Sequence, residues 1–256
     1  MVHIPWEYIN TSVLSSIKEE ILEYNFVYST NYDLLLYWAL FSDNDKNGFF
    51  DYFWNPESNQ DNYFSILNTQ PWSSKQGDTR VLYLHGAIHL YKERGYAQDF
   101  GISEEHEYSD SSERIRKINY GGSGRNILDR FETLWNIKRG ITPLFVSEGS
   151  SDDKLKSIYK SEYLSFAYSE FSNHEGGLIV FGHSLGDSDK HLIEAIRRSK
   201  SSIIAVSIRR GTSDDDVVAR RYDLAKKLPK KTLLFFDAQT HPLGARSLNL
   251  STKISP

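Results

Sequence analysis

The sequence predicts an α/β protein: a Rossmann-like, doubly wound and mostly parallel sheet with helices on both faces and irregular insertions. Short apolar segments of strand length alternate with amphipathic stretches of helix length, which is typical of a parallel sheet covered on both faces. Polar and glycine residues cluster where three apolar segments end, at Tyr28–Asp33, Leu84–Gly86 and Phe181–Asp187. Open α/β sheets bind their ligands at such strand ends. With 256 residues, the chain is long enough for a single domain over 1–256.

The first half of the chain alternates regular and irregular segments. Apolar residues of the opening segment share one helical stripe, and Thr11 or Ser12 is expected to cap it. Residues 43–79 and 92–125 mix polar and aromatic residues without a period, so we expect two irregular excursions there. The predicted elements are a helix at about 11–24, a strand at 25–29, a helix at 33–42, a strand at 80–84 and a helix at 126–138.

The second half is more regular. Its apolar strands contain few polar residues, and its helices carry one apolar stripe each. The predicted elements are strands at 143–146, 178–181, 203–206 and 232–236, separated by helices at about 152–173, 188–199 and 214–228.

Composition excludes several classes of function. The formal net charge of −4 argues against a nucleic-acid partner. The chain has no cysteine, which excludes disulfides, a cysteine nucleophile and a thiolate zinc site. No apolar run approaches the roughly 20 residues that span a bilayer. The first residues lack the features of a secretion signal, so a cytoplasmic location is expected.

The strand ends carry residues with chemical potential, and each has a structural alternative. His85 precedes a glycine and suits a general base near neutral pH, or a structural histidine at a turn. Gly182 permits close backbone approach, and Ser184 suits phosphate binding at a helix start. The alternative is a tight turn, with Asp187 or Ser188 as the cap of the helix that follows. Asp33 suits a helix cap or a ligand contact.

Other polar residues at these strand ends lead to further predictions. Glu148 is expected to face the same crevice, and Arg209 suits a ribose or phosphate contact or plain surface charge. Asp189 and His191, with Asp187, raise the idea of a metal site. Their spacing fits no specific site, so a solvated helix start without metal is expected. His85 and His89 are four residues apart, but the His-Glu-x-x-His signature of a helical zinc site is missing, so no zinc site is expected there.

The ordered junctions resemble the sirtuin-like superfamily, and within it an uncharacterised bacterial branch. The residues that carry the resemblance cover about 25–210. They are Ser29-Thr-Asn-Tyr-Asp33, His85-Gly86, Pro143-Leu-Phe-Val-Ser-Glu148-Gly149, Gly182-His-Ser-Leu185 and Ala205-Val-Ser-Ile208. The sirtuin glycine-rich loop that follows the first strand has no counterpart in residues 1–24. An N-terminally shortened chain is expected; the alternative is that another segment takes the position of that strand. The absent zinc ribbon disfavours protein deacylation.

The resemblance implies NAD as substrate or ligand, without a metal, and cleavage of the nicotinamide–ribose bond, often in bacterial defence against phage. It implies His85, Asn31 and Asp33 as catalytic residues. It implies cofactor contacts from Ser29, Thr30, Gly182, His183, Ser184, Asp187, Glu148 and Arg209. A non-catalytic sensor of NAD or ADP-ribose, or a structural module of a larger assembly, is the alternative. The expected partners are a nucleotide and either a second copy of the chain or a larger protein, with no nucleic acid and no membrane.

One geometric expectation underlies these assignments. The amide of Asn31, the imidazole of His85 and the hydroxyl of Ser184 are expected to converge on one crevice at the carboxyl edge of a parallel sheet.

Overall fold

The structure is a computed structural model that describes residues 10–41, 48–53, 63–64, 78–94, 113–118, 141–146, 149–209, 211–245 and 248. The chain forms two compact units, Met1–Val146 and Ser147–Pro256. The described residues form a mixed α/β protein with three small sheets. The predicted α/β class is therefore confirmed, whereas the single doubly wound sheet and the single domain over 1–256 stay predictions.

The first unit opens with helix α1, which Asn10 caps. The Asn10 side chain accepts a hydrogen bond from the backbone N–H of Ser12 at 3.0 Å, and Val13, Leu14 and Ile21 form its buried face. This capping residue differs from the predicted Thr11 or Ser12 by one or two positions. The elements of the unit are α1 (Thr11–Ile21), β1 (Phe26–Ser29), α2 (Leu35–Leu40), β2 (Phe49–Phe50), β3 (Thr79–Tyr83), β4 (Gly86–Arg94), β5 (Glu113–Lys117) and β6 (Ile141–Phe145).

Two sheets build this unit. The first is parallel, with strand order β1-β3-β2, and its pairs run from Phe26 opposite Arg80 to Ser29 opposite Tyr83. The second is antiparallel, with order β5-β4-β6 and a bulge in β4 between Ala87 and Tyr91.

Two predictions fail in this unit. The strand predicted at 143–146 belongs to an antiparallel sheet, because β6 pairs with β4. Residues 92–94 and 113–117, predicted as part of an irregular excursion, are strand because β4 and β5 pair with each other. His89 lies in strand β4. The helix predicted at 126–138 lies outside the described residues.

The second unit follows the predicted alternation of helix and strand. Its elements are α3 (Ser151–Tyr159), α4 (Glu162–Ser172), β7 (Leu178–Val180), α5 (Lys190–Arg198), β8 (Ile203–Ile208), α6 (Asp214–Lys227) and β9 (Thr232–Asp237), with short 3₁₀ turns at Asp187–Asp189, Ala238–Thr240 and Pro242–Gly244. The sheet is parallel, in the order β7-β8-β9.

The long helix predicted at 152–173 is wrong, since the chain forms two helices there. Ser161 separates them. Its hydroxyl accepts a hydrogen bond from the backbone N–H of Leu164 at 3.4 Å, and its extended backbone begins α4. A serine that caps a new helix competes locally with continuation of the preceding one.

The two faces of the β7-β8-β9 sheet differ. Val180, Ile204 and Val206 are buried on one face. On the other face Ile203 and Leu234 are 47% and 53% exposed. Among the described residues, no helix has the length and apolar character needed to cross a membrane.

Candidate functional site

Two candidate residues of the first unit lie at the same sheet edge. Strands β1 and β3 are parallel neighbours, and the backbone N–H of Leu84 donates to the carbonyl of Ser29 at 2.8 Å. Asn31 and His85 each follow their strand by two residues, so both lie at its carboxyl edge. Asn31 is exposed and His85 is only 6% exposed. The edge thus offers an accessible amide and a buried imidazole.

The turn after β1 is built by a serine. The Ser29 hydroxyl accepts a hydrogen bond from the backbone N–H of Asn31 at 3.2 Å and lies 3.3 Å from the carbonyl of the same residue. The backbone N–H of Ile88 donates to the carbonyl of Tyr32 at 3.0 Å and ties the turn to β4. The Ser29 hydroxyl therefore stabilises the turn, and Thr30 and Asn31 lie within that turn.

Asp33 lies just before helix α2. Its Oδ1 accepts a hydrogen bond from the backbone N–H of Leu35 at 2.9 Å, which satisfies an orphan donor at the helix start. The N-cap position is Leu34, which makes no side-chain capping bond, so Asp33 supports the helix from one residue before the cap. The contact with a nicotinamide carboxamide stays a prediction, and it has to use a carboxylate that already holds the helix.

The His85-Gly86 pair has a structural reason as well as a candidate chemical one. Gly86 has φ +74°, and a Cβ added there would lie 2.2 Å from the carbonyl oxygen of Leu144. The carbonyl of His85 accepts a hydrogen bond from the backbone N–H of Val146 at 2.8 Å. Only glycine fits this close approach of strands, and the turn fixes the backbone of His85.

In the second unit, a loop at the carboxyl end of β7 carries four of the candidate residues. Gly182 has φ +69°, and its backbone N–H donates to the hydroxyl of Ser207 at 3.0 Å. Ser207 is 4% exposed and lies near the end of β8. This bond joins the ends of two neighbouring parallel strands. From the sequence, Ser207 was placed with Arg209 at a strand end suited to a ribose or phosphate contact, and its bond to the loop after β7 was not predicted. A hydroxyl in an otherwise apolar strand was the available signal.

The middle of this loop has an unusual backbone. Leu185 has φ +52° and is 3% exposed, so its side chain is buried although its backbone is left-handed. Its backbone N–H donates to Nδ1 of His183 at 3.0 Å. His183 therefore shapes the loop from within.

Two cations of helix α6 hold the carbonyl groups of the loop. Arg220 donates to the carbonyl of His183 at 3.0 Å, and Lys227 to the carbonyl of Leu185 at 3.5 Å. In a trans peptide the carbonyl and the following N–H point in opposite directions, and the described chain has no cis peptide. The N–H groups of Ser184 and Gly186 therefore point away from α6, next to the exposed side chain of Ser184.

Asp189, expected on a solvated helix start, is buried, so that prediction is wrong. It is only 9% exposed. Its buried carboxylate has partners, since Oδ1 accepts a hydrogen bond from Lys154 at 2.8 Å and Oδ2 lies 3.6 Å from Nε2 of His183. Burial lowers the pKa of His183, Lys154 and Arg220 lower it further, and Asp189 opposes them. By contrast Asp187 is exposed and lies 3.5 Å from Lys227.

His191 is buried as well, which again contradicts the solvated helix start. Its backbone N–H donates to the hydroxyl of Ser151 at 2.8 Å, and its Nδ1 lies 3.0 Å from the same oxygen. Burial lowers the pKa of His191 to about 4. Ser151, which sequence reasoning missed, thus caps α5 from another helix. Both residues line a cleft of about 400 Å³, with Asp152, Leu155, Lys190, Ile193, Glu194, Arg197 and Lys227.

Arg209 and Glu148 are the remaining predicted site residues. Arg209 is exposed just beyond β8, and its carbonyl accepts a hydrogen bond from the Thr212 hydroxyl at 2.6 Å. Glu148 lies outside the described residues. Asn31 and His85 belong to the first unit and Ser184 to the second, so their convergence on one crevice stays a prediction.

Comparison with known proteins gives a family and no activity. A family model described as "Domain of unknown function (DUF4917)" matches residues 1–243. No curated protein matches the chain. Since the match covers most of the 256 residues, the chain belongs to the DUF4917 family.

Proposed function

We propose that this chain is a sirtuin-like, NAD-binding domain that cleaves the bond between nicotinamide and ribose. In this proposal the sheets belong to a doubly wound, Rossmann-like arrangement over 1–256, and the loops at their carboxyl edges hold the nucleotide. The observation that carries the proposal is the loop Gly182–Asp187. Its His183 and Leu185 carbonyl groups accept hydrogen bonds from α6, so the N–H groups of Ser184 and Gly186 point the other way.

Such a loop suits the pyrophosphate of a dinucleotide. The outward N–H groups of Ser184 and Gly186 and the Ser184 hydroxyl are donors, and phosphate oxygens are acceptors only. Gly182 leaves space for close approach, since a Cβ there would meet nothing within 4 Å. Arg209, exposed beyond the neighbouring strand, supplies a positive charge at the same edge of the sheet.

The first unit supplies groups suited to the chemical step. The glycosidic C–N bond breaks, nicotinamide leaves with the bonding electrons, and positive charge develops on the ribose. Asn31 holds a ribose hydroxyl or the attacking water with its exposed amide. His85 takes a proton from that water, which adds to the ribose carbon. The products are nicotinamide, ADP-ribose and one proton.

A non-catalytic sensor of NAD or ADP-ribose is the second candidate, and two observations favour it. The carboxylate of Asp33 is engaged by the backbone N–H of Leu35 at the start of α2, which weakens its assignment to catalysis. Residues 1–24 contain no glycine, so the glycine-rich phosphate loop expected of a complete sirtuin-like site has no counterpart there. A sensor needs the Gly182–Asp187 loop but not the imidazole of His85.

Nicotinamide release from NAD tests the enzyme. We expect the wild-type chain to release nicotinamide and His85→Ala to reduce the rate at least about 100-fold, the loss typical of removing a general base. The control is His174→Ala, because His174 precedes β7 and so lies at the amino end of that strand.

Calorimetry with NAD and with ADP-ribose tests the binding step. Ser184→Ala is expected to weaken binding several-fold. Binding without turnover supports the sensor, and turnover that survives His85→Ala rules out the assigned base. If neither ligand binds and no nicotinamide is released, both NAD functions are wrong.

A further inference from the structure

Leu185 adopts a backbone conformation that needs support from its neighbours. Its φ of +52° lies in the left-handed region, where a branched, non-glycine residue is an outlier. Such strain persists only where the surroundings hold it. The buried side chain of Leu185 is one support. The hydrogen bond from its N–H to His183 is a second, and the contact of its carbonyl with Lys227 is a third.

That second support depends on the protonation of His183. Nδ1 accepts the hydrogen bond from Leu185, so it carries a lone pair and no proton. In the neutral ring the proton is then on Nε2, which faces Oδ2 of Asp189 at 3.6 Å. Protonation of Nδ1 would place one N–H against another and break the bond to Leu185.

We propose that His183 is a positioning residue that holds the loop Gly182–Asp187 in its binding shape only while its imidazole is neutral. Acid then releases Leu185 from the left-handed conformation and turns the N–H groups of Ser184 and Gly186 out of alignment. The effect on ligand binding rests on the proposed function, whereas the effect on the loop does not.

The charges around His183 set the pH at which the loop is released. Asp189 at the start of α5 favours the protonated ring. Lys154 of α3 neutralises that carboxylate at 2.8 Å, and Arg220 of α6 binds the carbonyl of His183 itself. Asp187, at the end of the loop, pairs with Lys227 of α6. His191 is a further neighbour of the His183 ring.

Burial, Lys154 and Arg220 together lower the pKa of His183. Because the pKa is lower in the intact loop than in a free imidazole, the ring stays neutral at pH 7 and protonates only as the pH falls through the lowered pKa. The free energy that holds the loop is complete above the ordinary histidine value of about 6.5 and decreases below it. We therefore expect an intact loop at neutral pH and a released one in acid.

Hydrogen exchange of the ligand-free chain tests the loop directly. The readout is the exchange of the Leu185 amide at pH 7.5 and pH 5, corrected for the intrinsic rate at each pH. We expect protection in the wild type to fall at least about fivefold at pH 5. His183→Asn is the rescue variant, since an asparagine oxygen accepts from the N–H two residues on and does not titrate. It should retain protection at both values of pH.

His183→Phe keeps a ring of similar size but has no acceptor, so it should lose Leu185 protection at both values of pH. Exchange in β8 (Ile203–Ile208) reports whether the unit itself stays folded. If His183→Phe unfolds the unit, the pH dependence of Leu185 protection in the wild type and in His183→Asn still tests the proposal. Equal pH dependence in those two proteins would overturn the proposal.

Affinity for ADP-ribose, measured at the same two values of pH, separates this proposal from the proposed function. Wild-type affinity should fall at least about fivefold more than that of His183→Asn. If ADP-ribose and NAD fail to bind at any pH while Leu185 protection behaves as expected, the positioning role stands and the NAD function is wrong. If the ligands bind and the variants do not differ, the positioning role is wrong.

Discussion

Gly86 and Gly182 lie at similar places in the two units and differ in what surrounds them. Each follows a parallel strand by two or three residues, and their φ angles are +74° and +69°. A Cβ at Gly86 would lie 2.2 Å from a backbone oxygen of β6, whereas a Cβ at Gly182 would meet nothing within 4 Å. The first strand end is a packed turn, and the second is an open surface. A left-handed glycine alone therefore does not mark a ligand site.

The two units also differ in what their buried ion pairs stabilise. The first unit buries the ion pair of Lys117 with Asp51 among aromatic rings, and the ammonium lies 5.0 Å from the ring centre of Phe41. In the second unit the partly buried pair of Lys154 with Asp189 supports the loop after β7. Buried charge holds the core in one unit and shapes a surface loop in the other.

The largest effect is expected from removing the buried cation of the first unit. Lys117→Met leaves the carboxylate of Asp51 buried without its partner, which should cost about 3–5 kcal/mol. Urea unfolding followed by tryptophan fluorescence measures it, since all five tryptophans precede residue 147 and report the first unit.

Lys200→Met is the matched control, because it breaks an exposed pair with Glu175 in the second unit. The double variant Lys117→Met with Asp51→Leu should recover most of the loss. A Lys117→Met chain as stable as the control would contradict the structural role given to the buried pair.

Substitution of the two glycines sharpens the comparison between the strand ends. Gly86→Ala forces the backbones of β4 and β6 apart and should destabilise the first unit by about 3 kcal/mol. Gly182→Ala has open space around it and should cost only the left-handed conformation, about 1–2 kcal/mol. Thermal unfolding by circular dichroism measures both. Equal losses would show that the close approach at Leu144 is not what selects glycine in the first unit.

Acid is expected to weaken the first unit through His89. This histidine is 1% exposed, neither ring nitrogen has a hydrogen-bond partner among the described residues, and the rings of Tyr37 and Tyr83 lie 4.5 and 4.9 Å away. Burial lowers the pKa of His89 well below its usual value, and Lys117 lowers it further. Stability is therefore complete above about pH 6.5 and falls by up to about 1.4 kcal/mol per pH unit below it.

Tryptophan-monitored unfolding between pH 7 and pH 5 checks this prediction. His89→Phe should flatten the dependence, and His174→Gln, which lies in the second unit, should leave it unchanged. A wild-type slope that persists in His89→Phe would assign the acid sensitivity to other groups.

The smallest effect is expected at Asp33. Asp33→Ala should cost about 1 kcal/mol, because the backbone N–H of Leu35 at the start of α2 loses its acceptor. Asp33→Asn should cost little, because an asparagine oxygen accepts the same hydrogen bond. Measured together with nicotinamide release, the pair separates two roles. Activity that is lost in Asp33→Asn while stability is retained would assign Asp33 to catalysis.

Local patterns predicted the second unit better than the first. Helices α5 and α6 and strands β7 to β9 were predicted to within about three residues, because each carries its own apolar periodicity. Strands β4 and β5 were missed because charged residues dominate the paired segments. Arg116 of β5 pairs with Glu93 of β4, so these strands depend on a partner about 20 residues away and not on a local pattern.

The sequence by itself determined that polar residues follow apolar strands at Ser29–Asp33, His85 and Gly182–Asp187, because strand and turn preferences act between near neighbours. Tertiary structure alone decided that Asp189 is buried against Lys154 and that the nitrogen of His183 facing Leu185 is an acceptor. Burial and protonation depend on side chains that distant segments supply, here from α3 and α6. The chemistry of this loop is therefore set by residues far from it in the chain.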